Sequence, residues 1–252
     1  MKQPLTWLTF SAPPRFYALA AAVNPWLWAL AIGLSVWGLY VGFFVAPTDA
    51  TQGEAYRIIF IHVPAAWMSM LLYLAMAFWA AIGWMLNARM ASTLARAIAP
   101  TGAMFTFIAL WTGSFWGKPT WGTWWVWDAR LTSELILLFL YLGYIALVSA
   151  IDDLVRGDKA GALLAIVGAV NVPIIYFSVR WWNTLHQGAT ISLTAAPKMA
   201  QTMLFAMLLM TFAFWAYAFA VVFTRAQALA LARDADAAWA RQVTQQAGKE
   251  MQ

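Results

Sequence analysis

From Trp121 to Ile151 the chain reads WGTWWVWDARLT and then SELILLFLYLGYIALVSAI. No charged residue occurs between Glu134 and Asp152. A helix needs about 20 apolar residues to cross the hydrocarbon core of a bilayer. The second half of this stretch therefore predicts a transmembrane helix. The first half differs, because four of its first seven residues are tryptophan and an Asp and an Arg follow them.

The composition extends the membrane prediction to the whole chain. Of its 252 residues, 63% are hydrophobic and 10% are charged, whereas soluble domains have about 45–50% apolar and about 25% charged residues. The absence of cysteine excludes disulfides, thiolate metal sites and cysteine-linked heme. The net charge of +5 comes from Lys and Arg scattered through short loops. Basic residues in short loops are typical of a membrane protein, where they set the orientation of the spans in lipid. We therefore expect no nucleic-acid partner.

We predict an all-α, polytopic membrane protein with a single domain over residues 1–252. An N-terminal segment, 1–25, precedes six spans between about 26 and 223, and a tail, 224–252, continues the last helix. The spans run roughly from Trp26 to Val45, Val63 to Leu86, Ile98 to Trp116, Thr132 to Ile151, Ala160 to Val179 and Lys198 to Phe223. We expect the connections on the side of the termini to be about ten residues long.

The basic residues predict the orientation. With six spans both termini lie on one side, which carries Lys2, Arg15, Arg89, Arg96, Arg156, Lys159, Arg225, Arg233, Arg241 and Lys249. The other side carries Arg57, Lys118, Arg130, Arg180 and Lys198. The richer side should be cytoplasmic. The outer loops are then roughly Ala46–His62, Gly117–Leu131 and Arg180–Pro197, and the Trp-rich loop between helices 3 and 4 is the middle one.

The chain has two histidines, His62 and His186, and both fall on the outer side. His62 precedes Pro64 by two residues, and proline suits the first turn of a helix. His186 follows the pair Trp181-Trp182. The histidines therefore flank the Trp-rich loop from either side.

Heme is a ligand that would use all of these residue types. Its flat macrocycle stacks on aromatic rings, and its iron takes neutral imidazole as axial ligand. Its propionates require Arg or Lys. The candidates near the histidines are Arg130, Lys118, Arg57 and Arg180.

Simpler interpretations stand beside this one. Tryptophan at a membrane interface is usually an anchor, and this is the leading interpretation of Trp181-Trp182 taken alone. A single histidine near a helix end is more often a satisfied polar residue than a ligand. Four tryptophans beside Asp128 and Arg130 exceed what an anchor needs, and the aromatic loop between the histidines favours ligation.

The acids of this region leave alternatives open. Asp128 is predicted to pair with Arg130, to orient a Trp N–H, or to be a plain loop acid. Thr132 or Ser133 is the predicted cap of the fourth helix. Glu134 is predicted to lie in the first turn of that helix, where the helix dipole favours an acid.

Enzyme signatures are absent from the sequence. It has no phosphate-binding Gly-rich loop with Lys and Ser or Thr, no HExxH pair and no nucleophile elbow. We therefore expect a protein that is not an enzyme and does not itself hydrolyse ATP.

Three segments resemble a known family. The stretch from Trp121 to Thr132 resembles the tryptophan-rich signature of the heme-handling proteins of cytochrome c maturation. The segments from Phe60 to Trp67, FIHVPAAW, and from Trp181 to Gly188, WWNTLHQG, resemble its flanking segments in the six-helix branch, heme exporter protein C (CcmC).

The resemblance implies a site and a set of partners. The site would bind heme b transiently and non-covalently at the periplasmic face of the bacterial inner membrane, with His62 and His186 as axial ligands. It implies a platform made of Trp121, Trp124, Trp125 and Trp127. Asp128, Arg130, Arg57 and Lys118 would support the site or contact the propionates. The implied partners are a membrane-anchored heme chaperone (component E), an ABC-type ATPase and its permease (components A and B) and a small single-span protein (component D).

Two other functions remain as alternatives. A permease subunit that exports heme across the bilayer would line a path with polar residues deep within several spans. A membrane b-type redox protein would place its histidine pairs inside the helices. The expected spans have few charges in their middles, and both histidines lie at span edges, so delivery of heme to a partner is the preferred hypothesis.

Overall fold

The computed structural model describes residues 12–182, 184–186 and 199–250 of the chain. Over these ranges the regular elements are helices. They are α1 (Pro13–Tyr40), α2 (Ile59–Leu86), α3 (Arg89–Trp121), α4 (Ala129–Ala150), α5 (Leu154–Gly168), α6 (Asn171–Trp181), α7 (Gln201–Arg233) and α8 (Ala238–Glu250). A π-helical turn, Val41–Val45, extends α1, and a 3₁₀ turn, Glu54–Ile58, leads into α2.

The described helices provide six stretches long and apolar enough to cross a membrane, with α5 and α6 together forming the fifth. The predicted all-α, six-span class is confirmed. The helices are longer than the predicted spans. Helix α1 begins at Pro13, within the segment expected to precede the first span, because two prolines occupy its first positions and proline suits the start of a helix. Hydropathy identifies only the part of a helix that meets lipid.

The connections on the side of the termini are shorter than the ten residues predicted. Asn87 and Ala88 join α2 to α3, and Ile151–Asp153 join α4 to α5. Asn87 adopts a left-handed conformation with φ of 51°, which ends α2 and allows the tight reversal. Asp153 caps α5 by accepting hydrogen bonds from Val155 and Arg156.

The predicted start of the fourth helix was wrong by one turn. Asp128 is the N-cap of α4, because its Oδ1 accepts a hydrogen bond of 2.8 Å from the backbone N–H of Leu131. Thr132 and Ser133 are already inside the helix, and Ser133 donates to the carbonyl of Ala129. Glu134 therefore lies in the second turn rather than the first. There it is buried and accepts a hydrogen bond of 2.6 Å from Ser69 of α2.

The fifth span is broken between α5 and α6. Around the break, Val170 and Val172 donate to the carbonyls three residues earlier instead of four. Tyr73 of α2 packs into the break, where a Cβ at Gly168 would overlap its hydroxyl. Asn171 donates a 2.8 Å hydrogen bond to the carbonyl of Ser133. The break is thus packed against α2 and bonded to α4.

The bundle has two distinct ends. At the terminal end the start of α1 packs on the last turns of α7, where Phe16 meets Phe223 and Gln227 donates to the carbonyl of Tyr17. The helix after the last span, α8, returns to the same place through contact of Trp239 with Tyr17. The predicted continuation of the last helix extends only to Arg233; a turn follows, and the rest of the described tail forms the separate helix α8. The opposite end contains the first turn of α2, the C-terminal turns of α3 and α6, and both histidines; we call it the histidine end.

A buried ionic cluster ties three helices together at the terminal end. The Asp158 carboxylate of α5 accepts from Arg96 of α3 at 2.6 Å and from Arg233 of α7 at 2.7 Å. These three side chains are at most 13% exposed. One carboxylate thus neutralises part of the charge of two buried guanidinium groups.

We expect Asp158→Ala to destabilise the bundle strongly, because it leaves Arg96 and Arg233 buried without their counter-ion. Loss of one partner of a buried ion pair costs roughly 3–5 kcal/mol. The thermal midpoint of the detergent-solubilised protein measures the effect. Asp152→Ala, which changes an exposed acid six residues away, is the control. Equal midpoints for the two variants would contradict the prediction.

Candidate functional site

His62 is the fourth residue of α2. Its ring contacts one face of α3. Its Nδ1 is 3.1 Å from the hydroxyl of Thr112, and its ring packs edge-on against Trp116 with centroids 5.6 Å apart. Gly113 leaves space for the imidazole, since a Cβ there would lie 3.0 Å from Cε1 of His62. Trp116 is itself held by a 2.8 Å hydrogen bond from its indole N–H to the side-chain oxygen of Gln52.

The hydrogen bonds of Thr112 assign the tautomer of His62. The Thr112 hydroxyl donates to the carbonyl of Ile108 at 2.6 Å, so its oxygen is left to accept from the imidazole. His62 then carries its proton on Nδ1, and the lone pair of Nε2 is free. A neutral imidazole in this state can bind a metal through Nε2.

His186 contacts the Trp-rich segment from the other side. Its ring centroid lies 4.9 Å from that of Trp121, the last residue of α3. Its Nδ1 is 3.6 Å from Oδ2 of Asp128. Trp116 and Trp121 are five residues apart on α3, about 7.5 Å along the helix axis. The two imidazoles therefore rest on neighbouring turns of one helix.

Burial lowers the pKa of His186 below its ordinary value of 6.5. The positive charge of Arg130 acts in the same direction, and the Asp128 carboxylate partly opposes both. His186 is therefore neutral at pH 7, which is the state that binds a metal.

The structure resolves the alternatives left open for Asp128 and Arg130. Asp128 caps α4 with one oxygen and faces His186 with the other. Arg130 does not pair with it; its Nη1 donates 3.0 Å to the carbonyl of Ile175 and joins α4 to α6. This bond holds the segment that leads to His186 against the start of α4.

The four tryptophans do not share one face. Trp121 contacts His186, whereas Trp125 and Trp127 pack edge-on against each other at 5.5 Å. Trp124 turns to the outer face of α3, where it meets Phe115 at 5.4 Å and the ammonium of Lys118 at 5.9 Å. Gly122, with φ of 79°, makes the turn that separates Trp121 from the other three.

Two predicted basic residues have partners outside the histidine contacts. Arg57 pairs with Glu54 and donates to the carbonyls of Gly42 and Ala46, which fastens the end of α1 to the start of α2. Lys118 donates 3.1 Å to the carbonyl of Gly122 and lies over Trp124. Arg130 remains as the candidate whose charge acts on a histidine, because it lowers the pKa of His186.

Sequence reasoning missed the residues of α3 that receive His62, namely Thr112, Gly113 and Trp116. The available signal was the pair Thr112-Gly113 in an apolar run. Thr112 precedes Trp116 by four residues, so both lie on one face of a helix. In lipid such a pair indicates a close helix contact as readily as a site.

Among the described residues, polar atoms of His186, of the residues before it and of the Trp-rich segment are buried without a hydrogen-bond partner. They are Nδ1 of His186, Oδ2 of Asp128, Nε1 of Trp125 and Oγ1 of Thr184. Such atoms are rare in a folded interior and call for an explanation. Together with two neutral imidazoles and the nearby indole rings, they fit a site for a flat metal-bearing group with polar substituents.

The sequence was next compared with known proteins. The family model described as heme exporter protein C matches residues 6–241. The chain belongs to this family. The heme exporter protein C of Escherichia coli K12 is 55% identical over 178 residues, covering 71% of this chain and 73% of that protein. That of Haemophilus influenzae is 42% identical over 240 residues, covering 95% and 98%.

A mitochondrial protein also matches. A putative cytochrome c biosynthesis ccmC-like mitochondrial protein of Marchantia polymorpha is 49% identical over 166 residues, covering 66% of this chain and 67% of that protein. The family match includes both histidines and the whole Trp-rich segment. The family predicted from three short motifs is therefore confirmed over nearly the full length.

We expect the stability of the heme-free protein to fall as the pH drops below about 6.5. The unfolded chain protonates His186 at its ordinary pKa, whereas the folded chain resists protonation, so acid favours unfolding. Thermal midpoints measured from about pH 7.5 to about pH 5.5 should decline more steeply for the native protein than for His186→Gln. Parallel curves would show that His186 does not contribute.

Proposed function

We propose that this chain binds heme between His62 and His186 and passes it to a partner protein for cytochrome c maturation. The observation that carries the proposal is the placement of two imidazoles on neighbouring turns of α3, each beside an indole ring and each with Nδ1 turned toward an oxygen. The names of the relatives, which mention heme export and cytochrome c biosynthesis, support the same cargo.

Each residue has a distinct part in this proposal. His62 and His186 bind the iron through Nε2, and Trp121 and Trp116 support their rings. Arg130, whose charge acts on His186, supplies a positive charge for a propionate. Lys118 offers a second charge on the outer side of the Trp-rich segment; the contacts of Arg57 with α1 favour a structural role instead.

The position of the site favours transient, non-covalent binding of heme b. His62 lies near the start of a span and His186 beyond the end of α6, so the iron would sit at the edge of the bundle. Trp127 is 77% exposed and Trp124 is 50% exposed there. Exposed aromatic rings beside the site offer a surface to a receiving protein.

We propose the membrane-anchored heme chaperone, component E, as the receiver. The ABC ATPase and permease, components A and B, and the single-span component D would assemble with the chain. ATP hydrolysis by that ATPase would drive release of the loaded chaperone. The chain itself then acts by binding and positioning heme rather than by catalysis.

The two alternative functions have less support. A heme-exporting permease needs a polar path through the spans, but the charged side chains that are buried among the described residues lie near the ends of the bundle. The Asp158 cluster lies at the terminal end, and the other buried acid is Glu134. It lies in the second turn of α4, near the histidine end, and is bonded to Ser69. A b-type redox protein would hold its histidines inside the spans, unlike the edge positions of His62 and His186.

The proposed location is the bacterial inner membrane, with the heme site at the periplasmic face. The six spans make the chain a multi-pass membrane protein. The excess of Lys and Arg on the side of the termini supports a cytoplasmic terminal end. The histidine end, at the other side of the bundle, would then face the periplasm.

We expect His62→Ala and His186→Ala each to lose most of the bound heme, because one axial bond is removed from a site that holds iron by two. Absorption spectra of the purified protein, oxidised and reduced, measure heme content and axial ligation. Trp26→Ala, which removes an indole that is 77% exposed in the first span, is the control and should retain the native spectrum. Full heme spectra in both histidine variants would refute the site.

The orientation has its own test. A reporter that is active only in the cytoplasm, fused after Gln252, should be active, and a periplasmic reporter at the same position should be silent. The same pair of reporters inserted after Gln52, near the histidine end, should give the reverse result. A periplasmic signal from the C-terminal fusion would invert the proposed topology.

A further inference from the structure

We propose that Asp128 is a positioning residue that fixes the proton of His186 on Nδ1 and so directs Nε2 toward the iron. This inference rests on the proposed heme ligation by His186. It assigns to Asp128 a role separate from that of capping α4 and separate from propionate binding.

The Asp128 carboxylate is held in place independently of His186. Its Oδ1 accepts the backbone N–H of Leu131 at 2.8 Å, and the residue has the extended backbone of an N-cap, with φ −88° and ψ 170°. This bond fixes the carboxylate on the first turn of α4. The second oxygen, Oδ2, is left to point away from the helix.

The second oxygen faces the imidazole. Oδ2 of Asp128 and Nδ1 of His186 are 3.6 Å apart, and both atoms are buried without another hydrogen-bond partner among the described residues. The Asp128 side chain is 9% exposed and that of His186 is 17% exposed. A closure of a few tenths of an ångström completes a normal hydrogen bond. Capping accounts for Oδ1, and in the part of the chain that the structure describes the imidazole is the group that Oδ2 faces.

The chemistry of the pair sets the tautomer. A carboxylate only accepts hydrogen bonds, so the proton shared with it must be on Nδ1 of His186. The lone pair of Nε2 is then available to iron. Metal binding withdraws electron density from the ring and makes Nδ1–H a better donor, so ligation and the hydrogen bond strengthen each other.

The arrangement matches that of His62. There the Thr112 oxygen receives the Nδ1 proton, and here the Asp128 carboxylate does. The two acceptors differ in kind, because Asp128 offers a carboxyl group and Thr112 a hydroxyl. The carboxylate makes His186 the more electron-rich ligand of the two and should favour ferric over ferrous iron.

Two substitutions separate positioning from capping, since Asn, Ser and Asp are about equally good N-caps. Asp128→Ser keeps the cap but its side chain is too short to face His186. Asp128→Asn keeps both the cap and the length of the side chain. Its amide oxygen accepts from the N–H of Leu131, so its NH₂ group donates toward Nδ1 of His186. This would favour the tautomer that blocks Nε2, as an amide in place of a carboxylate does in serine proteases.

The experiment uses the full-length protein in detergent, titrated with ferric heme b and compared with the native protein. We expect Asp128→Ser to bind heme about 10-fold to 100-fold more weakly and Asp128→Asn to bind more weakly still. Heme retained by Asp128→Ser should have a reduction potential shifted upward. The thermal midpoints of both heme-free variants should stay close to the native value.

The outcomes distinguish this inference from the proposed function. Native affinity and potential in both variants, together with loss of heme in His186→Ala, would overturn the positioning role and leave the ligation intact. If both variants lost heme and thermal midpoint to the same extent, Asp128 would act only as a cap, and the positioning role would be overturned. Unchanged heme binding in His186→Ala would refute the proposed function itself.

Discussion

Hydrocarbon offers no hydrogen-bond partners, and this constraint decides where the chain can place polar chemistry. The helices satisfy their own backbone groups inside the spans, so free donors and acceptors collect where helices begin and end. His62 lies near the start of α2, Trp121 ends α3, Asp128 begins α4, and His186 follows α6. The candidate site is thus a junction of helix termini, and α3 is the element that both imidazoles touch.

Much of this arrangement can be predicted from the sequence. Apolar runs of sufficient length identify the six spans, and the two histidines and the tryptophan cluster stand out because a membrane protein has few such residues outside its anchors. Consecutive spans run in opposite directions, so the start of the second span and the end of the fifth lie on the same side. Both histidines are therefore expected at one end of the bundle. The family follows from three short motifs, and the comparisons confirm it.

The contacts within the site could not be predicted, for physical reasons. Which residue caps α4 depends on one backbone turn, and Asp128, Thr132 and Ser133 are all suitable cap types. The pairing of Asp128 with His186 joins segments about 58 positions apart, and the contact of His62 with Thr112 joins two different helices. Residue pattern gives the face of a helix, but not the rotation that brings one face against another.

The break in the fifth span has a mechanical consequence for His186. At Val170 and Val172 the backbone N–H groups bond three residues back instead of four, so the regular α-helical bonding of the fifth span is interrupted there. Two hydrogen bonds hold the short helix α6: Asn171 donates to the carbonyl of Ser133, and Arg130 donates to the carbonyl of Ile175. Both bonds connect α6 to α4, the helix whose N-cap is Asp128. The Asp128 carboxylate and the helix that leads to His186 are therefore both held by α4, independently of α5.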